Sequence, residues 1–339
     1  MYNISLITGD GIGPELSESA IAVLETIHDK LGLKFSIKKL QAGDSALKQT
    51  GKALPEETLE SVKQSHACLK APVGESAADV IVRLRRILDL YANIRPAKSY
   101  PNMPALRDDI DLVIVRENTE DLYTGVEFDI DENISVALRK ISSQASKRIA
   151  KYACLIAEQR NQEKKVTCVH KSNVMRKTDG LFARSCEEEI HNHSGITFEQ
   201  MYVDACAMNL IRQPQSFDVI VTTNLFGDIL SDEAAQVVGG LGMAPAANIG
   251  DNFALFEPVH GAAFDIAGKQ IANPSSFILS IKMMLEWLGM KNNDKKCIEV
   301  AEKLETSVYN ILKNGIKTKD IGGNKTTMEF TKEILLKLA

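Results

Sequence analysis

Short runs rich in Val and Ile alternate with amphipathic stretches along the 339-residue chain, and this alternation restricts the possible folds more than any other feature. The runs of strand length cover residues 4–8, 35–40, 67–71, 111–115, 166–170 and 217–222. Helices are predicted at 15–31, 142–159, 275–288 and 295–312, the first of them preceded by Pro14 and followed by Gly32. Strands that alternate with helices predict an α/β protein with a largely parallel sheet.

The chain is longer than a usual single core, so two domains, or two lobes that share one sheet, are expected. Junctions rich in Pro, Gly and Asn at 95–104 and 239–250 are the candidate crossings between them. We therefore expect residues 1–98 and 240–339 to form a large domain and residues 99–239 a smaller one. The acidic stretch 127–133 is expected to be a solvated surface loop.

Composition excludes several classes of protein. The apolar fraction is 44%, yet the longest apolar runs have only strand length, so no membrane span is predicted. A net charge of −5 without a broad basic surface argues against nucleic acid as a partner. The six cysteines lie far apart without a C-x-x-C pair, which indicates neither a zinc site nor disulfides. No signal peptide is evident, so a cytoplasmic protein is expected.

A glycine-rich turn, TGDGIGPE, follows the first predicted strand at residues 8–15 and precedes the first predicted helix. A dinucleotide-binding fingerprint would occupy this place. The third glycine, Gly13, does not fit the spacing of that fingerprint, and Pro14 follows it. The turn therefore predicts a tight strand-to-helix connection and argues against a Rossmann phosphate site.

Three arginines, Arg85, Arg95 and Arg116, are candidate ligands for a dicarboxylate. Guanidinium groups bind carboxylates with two parallel hydrogen bonds. Each arginine could equally pair with an acidic residue at the surface. Arg116 is the strongest candidate, because it closes an apolar strand, where α/β sheets place their binding sites.

Asp228 and Asp232 are four residues apart and would share one face of a helix, where like charges repel unless a cation lies between them. Asp204 follows another run of apolar character. Three carboxylates suit Mg²⁺ or Mn²⁺, although the spacing alone is equally compatible with a solvated helix face.

Lys171 follows a predicted strand and is either a surface residue or, beside a divalent cation, a usable general base. Tyr123, seven residues after Arg116, is the comparable candidate acid. His191 and His193 resemble metal ligands only superficially, since they lie in a polar, Glu-rich stretch without a third ligand at zinc spacing.

The segment EPVHGAAFDIAG at 257–268 is a candidate binding loop for adenosine. Asp265 could accept a hydrogen bond from a ribose hydroxyl. The same carboxylate would repel a 2′-phosphate, so NAD is favoured over NADP.

Taken together, these segments resemble the β-decarboxylating dehydrogenases, the family of isocitrate, homoisocitrate and 3-isopropylmalate dehydrogenases. The resemblance extends from GDGIGPE at 9–15 to DIGGNKTT at 320–327, and NLFGDILSD at 224–232 is particularly typical. The resemblance implies the isocitrate/isopropylmalate dehydrogenase fold, in which two lobes share a mixed, largely parallel sheet. This fold is not a Rossmann dinucleotide fold. The large domain would bind NAD, and the smaller one would carry the metal site and the dimer interface.

The resemblance also implies residue roles. Tyr123 and Lys171 would perform acid–base catalysis. The substrate would contact Arg85, Arg95, Arg116, Ile81, Val82, Asn173 and Val174. Mg²⁺ or Mn²⁺ would bind Asp204, Asp228 and Asp232. NAD would contact Ile12, Glu257, His260, Gly261, Ala262, Asp265, Ile266, Asn273 and Asp320. Because Lys171 and Asp204 would come from a neighbouring subunit, at least a homodimer is expected.

The residues before Arg85 bear on the substrate. Isocitrate enzymes of the family tend to carry Ser and Asn at the positions of Asp79 and Ile81, and homoisocitrate enzymes can carry Arg at the position of Val82. An isopropyl group suits the apolar residues, so oxidative decarboxylation of 3-isopropylmalate, a step of leucine biosynthesis, is favoured. Homoisocitrate and isocitrate stay open, because Arg83 could face an acidic tail and RENTEDLY at 116–123 is more like the isocitrate branch. A regulatory subunit is a remote alternative, since the catalytic set is present.

Overall fold

The computed structural model describes residues 1–338, which contain twelve strands and eleven helices of more than one turn. The strands are β1 Tyr2–Ile7, β2 Phe35–Leu40, β3 Ala67–Lys70, β4 Ala92–Lys98, β5 Asp111–Glu117, β6 Glu127–Asp131, β7 Ile134–Ala137, β8 Lys165–His170, β9 Thr197–Tyr202, β10 Val219–Thr222, β11 Pro245–Ile249 and β12 Ala254–Pro258. The helices are α1 Gly13–Leu31, α2 Asp44–Thr50, α3 Glu56–Lys63, α4 Ala77–Ile87, α5 Ser143–Arg160, α6 Thr178–Ile190, α7 Val203–Arg212, α8 Asn224–Val237, α9 Ser275–Asn292, α10 Lys295–Lys313 and α11 Thr327–Leu338.

Ten strands form one sheet in the order β2-β1-β3-β12-β11-β4-β5-β10-β8-β9. The pairings are parallel except for β12 with β11, β11 with β4, and β4 with β5, which are antiparallel. The predicted mixed, largely parallel sheet is therefore confirmed. The proposed division at residues 98 and 240 stays a prediction, and the sheet crosses it without interruption between β4 and β5.

The predicted strands and helices are present, with ends that differ by a few residues. α1 illustrates why the pattern was sufficient, because Leu16, Ala20, Val23 and Ile27 form a fully buried stripe. Pro14 lies in its first turn, and Gly32 ends it in the left-handed conformation at φ 67°.

Residues 127–133 are exposed as expected, but the expectation of a loop is wrong. β6 and β7 form an exposed two-stranded hairpin there. Phe128, Ile130 and Ile134 alternate with acidic and polar residues and are largely exposed. Alternation with a period of two residues is typical of a strand. It was missed in the sequence because the many acidic residues resemble a solvated loop.

The two faces of the main sheet are covered differently. On one face, α1, α9 and α5 contribute to a single apolar cluster that extends across the molecule, from Leu6 in β1 to Val166 in β8. On the other face there are two separate clusters. One packs around Val80 and Leu84 of α4, and the other around Leu230 and Ala234 of α8. The space between them is a cleft, and it lies against the middle strands of the sheet.

None of the helices in residues 1–338 combines the length and the hydropathy needed to cross a membrane.

Candidate active site

Polar side chains occupy the floor of the cleft on five adjacent strands, β3, β12, β11, β4 and β5. Successive side chains of a strand point to opposite faces, so residues of the same parity share a face. The register places Asn248 opposite Asn93, and Asn93 opposite Arg116. Lys70 and Glu257 stand on the neighbouring strands and contact each other. On this face of the sheet, charged and polar side chains therefore separate the apolar cluster around α4 from the apolar cluster around α8.

Glu257 is the centre of a buried ion network. Its carboxylate lies 2.7 Å from Lys70 Nζ and 3.4 Å from Arg85 Nη2, and it accepts a hydrogen bond of 2.8 Å from Asn248 Nδ2. Burial alone would raise the pKa of the Glu257 carboxyl, but the two adjacent cations outweigh burial and lower it to about 2. Glu257 is therefore ionised and fixes both cations in the cleft wall.

Asn248 Oδ1 accepts hydrogen bonds from three side chains, which orders the floor of the cleft. The donors are Asn93 Nδ2 at 2.7 Å, Arg85 Nε at 2.9 Å and Asn118 Nδ2 at 3.0 Å. Asn93 in turn accepts a bond of 2.7 Å from Arg95 Nε. Buried polar networks with satisfied members hold their side chains in one geometry.

Arg116 is 1% exposed and is held by the first turns of α8. Its Nε and Nη2 donate to Asn224 Oδ1 at 3.0 and 2.7 Å, and its Nη1 contacts Asp228. Burial, reinforced by the charges of Arg95 and Arg85, lowers the pKa of Arg116 to about 10, so the group stays charged at neutral pH.

Asp228 and Asp232 lie one turn apart on α8, and a cation does lie between them. Arg95 Nη1 is 3.4 Å from Asp228 and 3.2 Å from Asp232. Burial raises the pKa of Asp228, but Arg116 and Arg95 more than offset this and the net shift is downward. The pKa of Asp232 is raised, mainly by burial. Two adjacent carboxylates with oxygen-only donors fit Mg²⁺ or Mn²⁺ in their chemistry.

Tyr123 lies in a short turn of 3-10 helix, Leu122–Thr124, and its hydroxyl donates to Asp228. The Arg116 guanidinium lies 5.0 Å from the centre of its ring. Burial and the bond to Asp228 raise the pKa of Tyr123, so its proton is retained until a stronger base forms nearby. This is the arrangement expected of a general acid.

These groups meet in one cavity of about 260 Å³. Its charged and polar lining consists of Lys70, Arg85, Arg95, Arg116, Tyr123, Asp228, Glu257 and His260. Its apolar lining includes Ala77, Ala78, Ile81 and Val82 of α4. Arg83 is directed away from it, toward Glu56 at 3.8 Å, and is half exposed. The cavity therefore combines a charged lining, in which cations outnumber acids, with an apolar stretch of α4.

Three of the predicted cofactor residues, Glu257, His260 and Gly261, line this cavity, and the others do not. Ile12 N donates to Ala262 O at 2.8 Å. A Cβ at Gly11 would lie 2.0 Å from that same oxygen, so the glycine turn serves close packing against the loop. Asn273 N donates to Asp320 Oδ2 at 2.8 Å. Asp265 is exposed and Ile266 half-buried, so the aspartate faces solvent where a ribose could reach it.

Lys171 and Asp204 contact each other and are not among the cavity-lining residues. Asn173 and Val174 are exposed beside them. Within residues 1–338, no three His, Cys, Asp or Glu side chains are grouped closely enough to hold a metal ion. One chain thus supplies the arginines, Tyr123 and Asp228 to the cavity, with Asp232 beside Arg95. It places Lys171 and Asp204 elsewhere.

Comparison with known proteins agrees with this geometry. The family model described as "Isocitrate/isopropylmalate dehydrogenase" matches residues 3–334. The chain belongs to the isocitrate/isopropylmalate dehydrogenase family. It is 50% identical to a 3-isopropylmalate dehydrogenase of Sulfurisphaera tokodaii, with 99% of each chain covered. It is 46% identical to an isocitrate/homoisocitrate dehydrogenase of Thermus thermophilus, with 98% of each covered.

The fold agrees as well. The crystal structure of isocitrate dehydrogenase from Methylococcus capsulatus superposes with a TM-score of 0.92 at 39% identity, covering 100% of this chain and 99% of that one. The predicted family, its fold and the dehydrogenase class are thereby confirmed.

Several polar residues of this isocitrate/isopropylmalate dehydrogenase cavity were missed in the sequence. Lys70 and Asn248 lie in otherwise apolar strands, and Asn93 directly precedes Ile94. A lone charged or amide residue inside a buried strand was the available signal, because such a group must find a partner. Its partners, however, are far away in sequence.

Proposed function

We propose that the protein is a 3-isopropylmalate dehydrogenase, which oxidises and decarboxylates 3-isopropylmalate to 4-methyl-2-oxopentanoate in leucine biosynthesis, with NAD and with Mg²⁺ or Mn²⁺. The observation that carries the proposal is the chemistry of the cavity wall. Arg85, Arg95 and Arg116 line the cavity that would hold a malate core, and Ala77, Ala78, Ile81 and Val82 of α4 form an apolar stretch beside them.

The apolar wall discriminates between members of the substrate class. Ile81 and Val82 offer an isopropyl group a dry surface. A third carboxylate placed there would lose its hydration without gaining a partner, because Arg83 is directed toward Glu56. Relatives named 3-isopropylmalate dehydrogenase, such as that of Sulfurisphaera tokodaii, support the same choice.

The chain's own side chains then have distinct tasks. The three guanidinium groups orient the two malate carboxylates. Lys171 accepts the proton of the 2-hydroxyl as the substrate is oxidised, and Tyr123, held by Asp228, delivers a proton to C3 after carbon dioxide leaves. Asp228 and Asp232, with Asp204, would hold the divalent ion, and the NAD would lie along His260, Gly261 and Ala262. When bound, the ion supplies Lewis-acid polarisation at C2, and the nicotinamide supplies the hydride acceptor.

We further propose that two copies of the chain complete each site. Lys171 and Asp204 are separated from the cavity of their own chain, so a second chain would have to bring them. Met208 and Ile211 of α7 and Ile229 of α8 are each more than half exposed. Apolar side chains on adjacent helices form a surface suited to a symmetric interface. A cytoplasmic location accords with six buried cysteines, all of them free thiols.

The deciding experiment measures NADH formation with 3-isopropylmalate, isocitrate, homoisocitrate and malate in the presence of Mg²⁺ or Mn²⁺. We expect kcat/KM to favour 3-isopropylmalate at least about 100-fold, equivalent to about 2.7 kcal/mol of transition-state discrimination. A preference for either tricarboxylate would reject the proposed substrate.

The contribution of the wall is tested by Ile81→Ala, which should lower kcat/KM for 3-isopropylmalate about 10-fold or more by removing apolar contact. Ile87→Ala is the matched control, since Ile87 lies on the same helix, is exposed and does not line the cavity. Equal effects of the two substitutions would contradict the assigned role of Ile81.

A further inference from the structure

Outside the cavity, Arg139 forms a buried cluster with two carboxylates. Its Nε lies 2.6 Å from Asp121 Oδ1, and its Nη1 lies 2.6 Å from Asp179 Oδ1. Both carboxylates are fully buried, and the arginine is 12% exposed. The guanidinium also donates to Thr223 Oγ1 at 2.8 Å and lies 4.9 Å from the centre of the Phe226 ring. One cation thus bridges two buried acids, neither of which lines the cavity.

Asp121 links this cluster to Tyr123. Its backbone has φ 71° and ψ −152°, a region that residues other than glycine rarely adopt. Its carboxylate accepts hydrogen bonds from Leu122 N at 2.9 Å and from Leu225 N at 3.1 Å, in addition to the bond from Arg139. These contacts hold the strained residue, and the residue in turn fixes the start of the turn that carries Tyr123.

Asp179 links the cluster to Lys171. Its Oδ1 pairs with Arg139, and its Oδ2 accepts a hydrogen bond of 2.6 Å from the backbone N of Lys171. The backbone from which the lysine side chain extends is therefore tied to the same guanidinium.

Thr223 links the cluster to α8. It is the residue directly before the helix, and Asn224 and Asp228 follow in the first turns. Arg139 therefore contacts, through one planar group, three segments that carry Tyr123, Lys171 and Asp228.

We propose that Arg139 is a positioning residue that fixes two segments of its own chain, the one that carries the general acid Tyr123 and the one that carries the general base Lys171. This inference rests on the proposed acid–base roles, and it does not depend on which substrate of the family is used. Arg139 does not line the cavity, so it acts through Asp121 and Asp179. Because Lys171 is proposed to work in the site of the other subunit, the cluster would order groups of two active sites at once.

The test compares Arg139→Met with Arg160→Met. Arg160 is a matched control, because it is 15% exposed and also bridges two acids, Asp218 at 2.8 Å and Asp111 at 3.0 Å, away from the cavity. Misplacement of catalytic groups by about 1 Å can cost about 100-fold in rate. We expect Arg139→Met to lower kcat about 100-fold with KM for substrate changed less than about threefold, and Arg160→Met to leave both within about threefold.

A second variant, Arg139→Lys, distinguishes a loss of positioning from a loss of folding. It keeps the charge but lacks the fork that spans two carboxylates, so it should fold and still lose most of kcat. With substrate deuterated at C2, the isotope effect on kcat should rise in both Arg139 variants as the chemical steps become limiting, and crystal structures should show Lys171 or Tyr123 displaced. A merely structural role would lower thermal stability without moving the isotope effect.

The outcomes separate cleanly. If Arg139→Lys keeps kcat within about threefold, or if Arg160→Met loses as much of kcat, the positioning role is wrong. If the wild-type protein prefers isocitrate or homoisocitrate, the proposed substrate is wrong, and the same comparison is made with the preferred substrate. If it oxidises none of the substrates, the proposed function fails, and unchanged positions of Lys171 and Tyr123 in the variant crystal structures would separately overturn the positioning role.

Discussion

Four cationic and three acidic side chains line or border the cavity. The cations are Lys70, Arg85, Arg95 and Arg116, and the acids are Glu257, Asp228 and Asp232. Four positive charges against three negative ones leave a net charge of +1 before any ligand binds. Such a site attracts a doubly charged anion and a cation together more readily than either alone, since each offsets the charge of the other.

At the scale of single residues, Glu257 provides a prediction. Glu257→Gln should lower the free energy of unfolding at pH 7 by about 3 kcal/mol, because it leaves Lys70 and Arg85 buried without a counter-charge. The pKa of Glu257 is about 2, below the usual 4.5, so its contribution is complete above pH 4.5 and is lost as the pH falls toward 2. Urea unfolding at pH 7 and pH 3 should therefore show a difference between wild type and variant that shrinks at the lower pH.

Glu305→Gln is the control for that experiment. Lys282 and Lys98 overcome the effect of burial and lower the pKa of Glu305 to about 2 as well, but this group lies outside the cavity. Both variants should lose stability, and only Glu257→Gln should also lose activity. A Glu257→Gln protein with a wild-type kcat/KM would contradict the role given to the Lys70–Glu257–Arg85 network.

The residues predicted from the sequence and those missed differ in a physical respect. Arg85, Arg116 and Asp228 belong to local patterns whose residue types already suggest a ligand. Most partners of Arg139 and Asn248 are distant in sequence, from 18 positions for Asp121 to 163 positions for Arg85, and no local pattern reveals them. Lys171 and Asp204 are intermediate, since their residue types were suggestive but a single chain does not bring them to the cavity.

At the scale of elements, α8 organises the site. It carries Asn224, Asp228, Ser231 and Asp232 on successive turns. Asn224 and Asp228 contact Arg116 of β5, and Ser231 and Asp232 contact Arg95 of β4. The close approach of helix to strand depends on Gly227, because a Cβ there would lie 2.5 Å from Arg116 Cγ and 2.6 Å from Arg116 Cβ. Those atoms are close to the backbone and cannot move aside.

Gly227→Ala should therefore push α8 from β5. We expect a loss of about 1–3 kcal/mol in unfolding free energy, as for other overpacked sites, together with a lower kcat/KM because Asp228 moves. Gly180→Ala is the matched control in another helix, where the nearest atom is the flexible end of Arg184 at 3.3 Å. It should be neutral or stabilise by about 0.5–1 kcal/mol. Similar melting temperatures for both variants would show that the helix has room to shift.

Helices with a regular spacing of apolar residues were predictable from the sequence. Strands that contain polar or turn-forming residues were not. α1, α5, α9 and α10 have long apolar stripes. β11 was taken for a junction because Pro245 and Asn248 resemble turn residues. Both are explained by tertiary context: Pro245 opens the strand, and Asn248 is the acceptor of the cleft floor. β6 and β7 were missed because exposed hairpins with acidic residues resemble loops.

At the scale of the whole molecule, the two faces of the sheet are packed differently. The back face has one continuous apolar cluster, and the front face has two clusters with the charged cavity between them. A closure of the cleft would bring α4 and α8 together without breaking the apolar cluster on the back face. Such a closure excludes water from the substrate.

Subunit mixing gives the prediction for the assembly. Lys171→Ala and Tyr123→Phe proteins should each be nearly inactive, but unfolding and refolding them together should restore about one quarter of wild-type activity, because half the dimers are mixed and each contains one intact site. Lys171→Ala mixed with Asp204→Asn is the control and should restore nothing, since both substituted residues would serve the same neighbouring site. The absence of recovery in the first mixture would exclude a site shared between subunits.

The continuity of the sheet also limits how such a protein can diversify. β4 and β5 pair along their full length, from Ala92 with Glu117 to Lys98 with Asp111, and they join residues on either side of the expected boundary at 98. A gene fragment encoding either lobe alone would expose a long row of unpaired amides and carbonyls between apolar side chains, an edge prone to aggregation. Exchange of segments between homologues should therefore succeed only where both strands are inherited from the same parent, so the lobes are not independent modules for recombination.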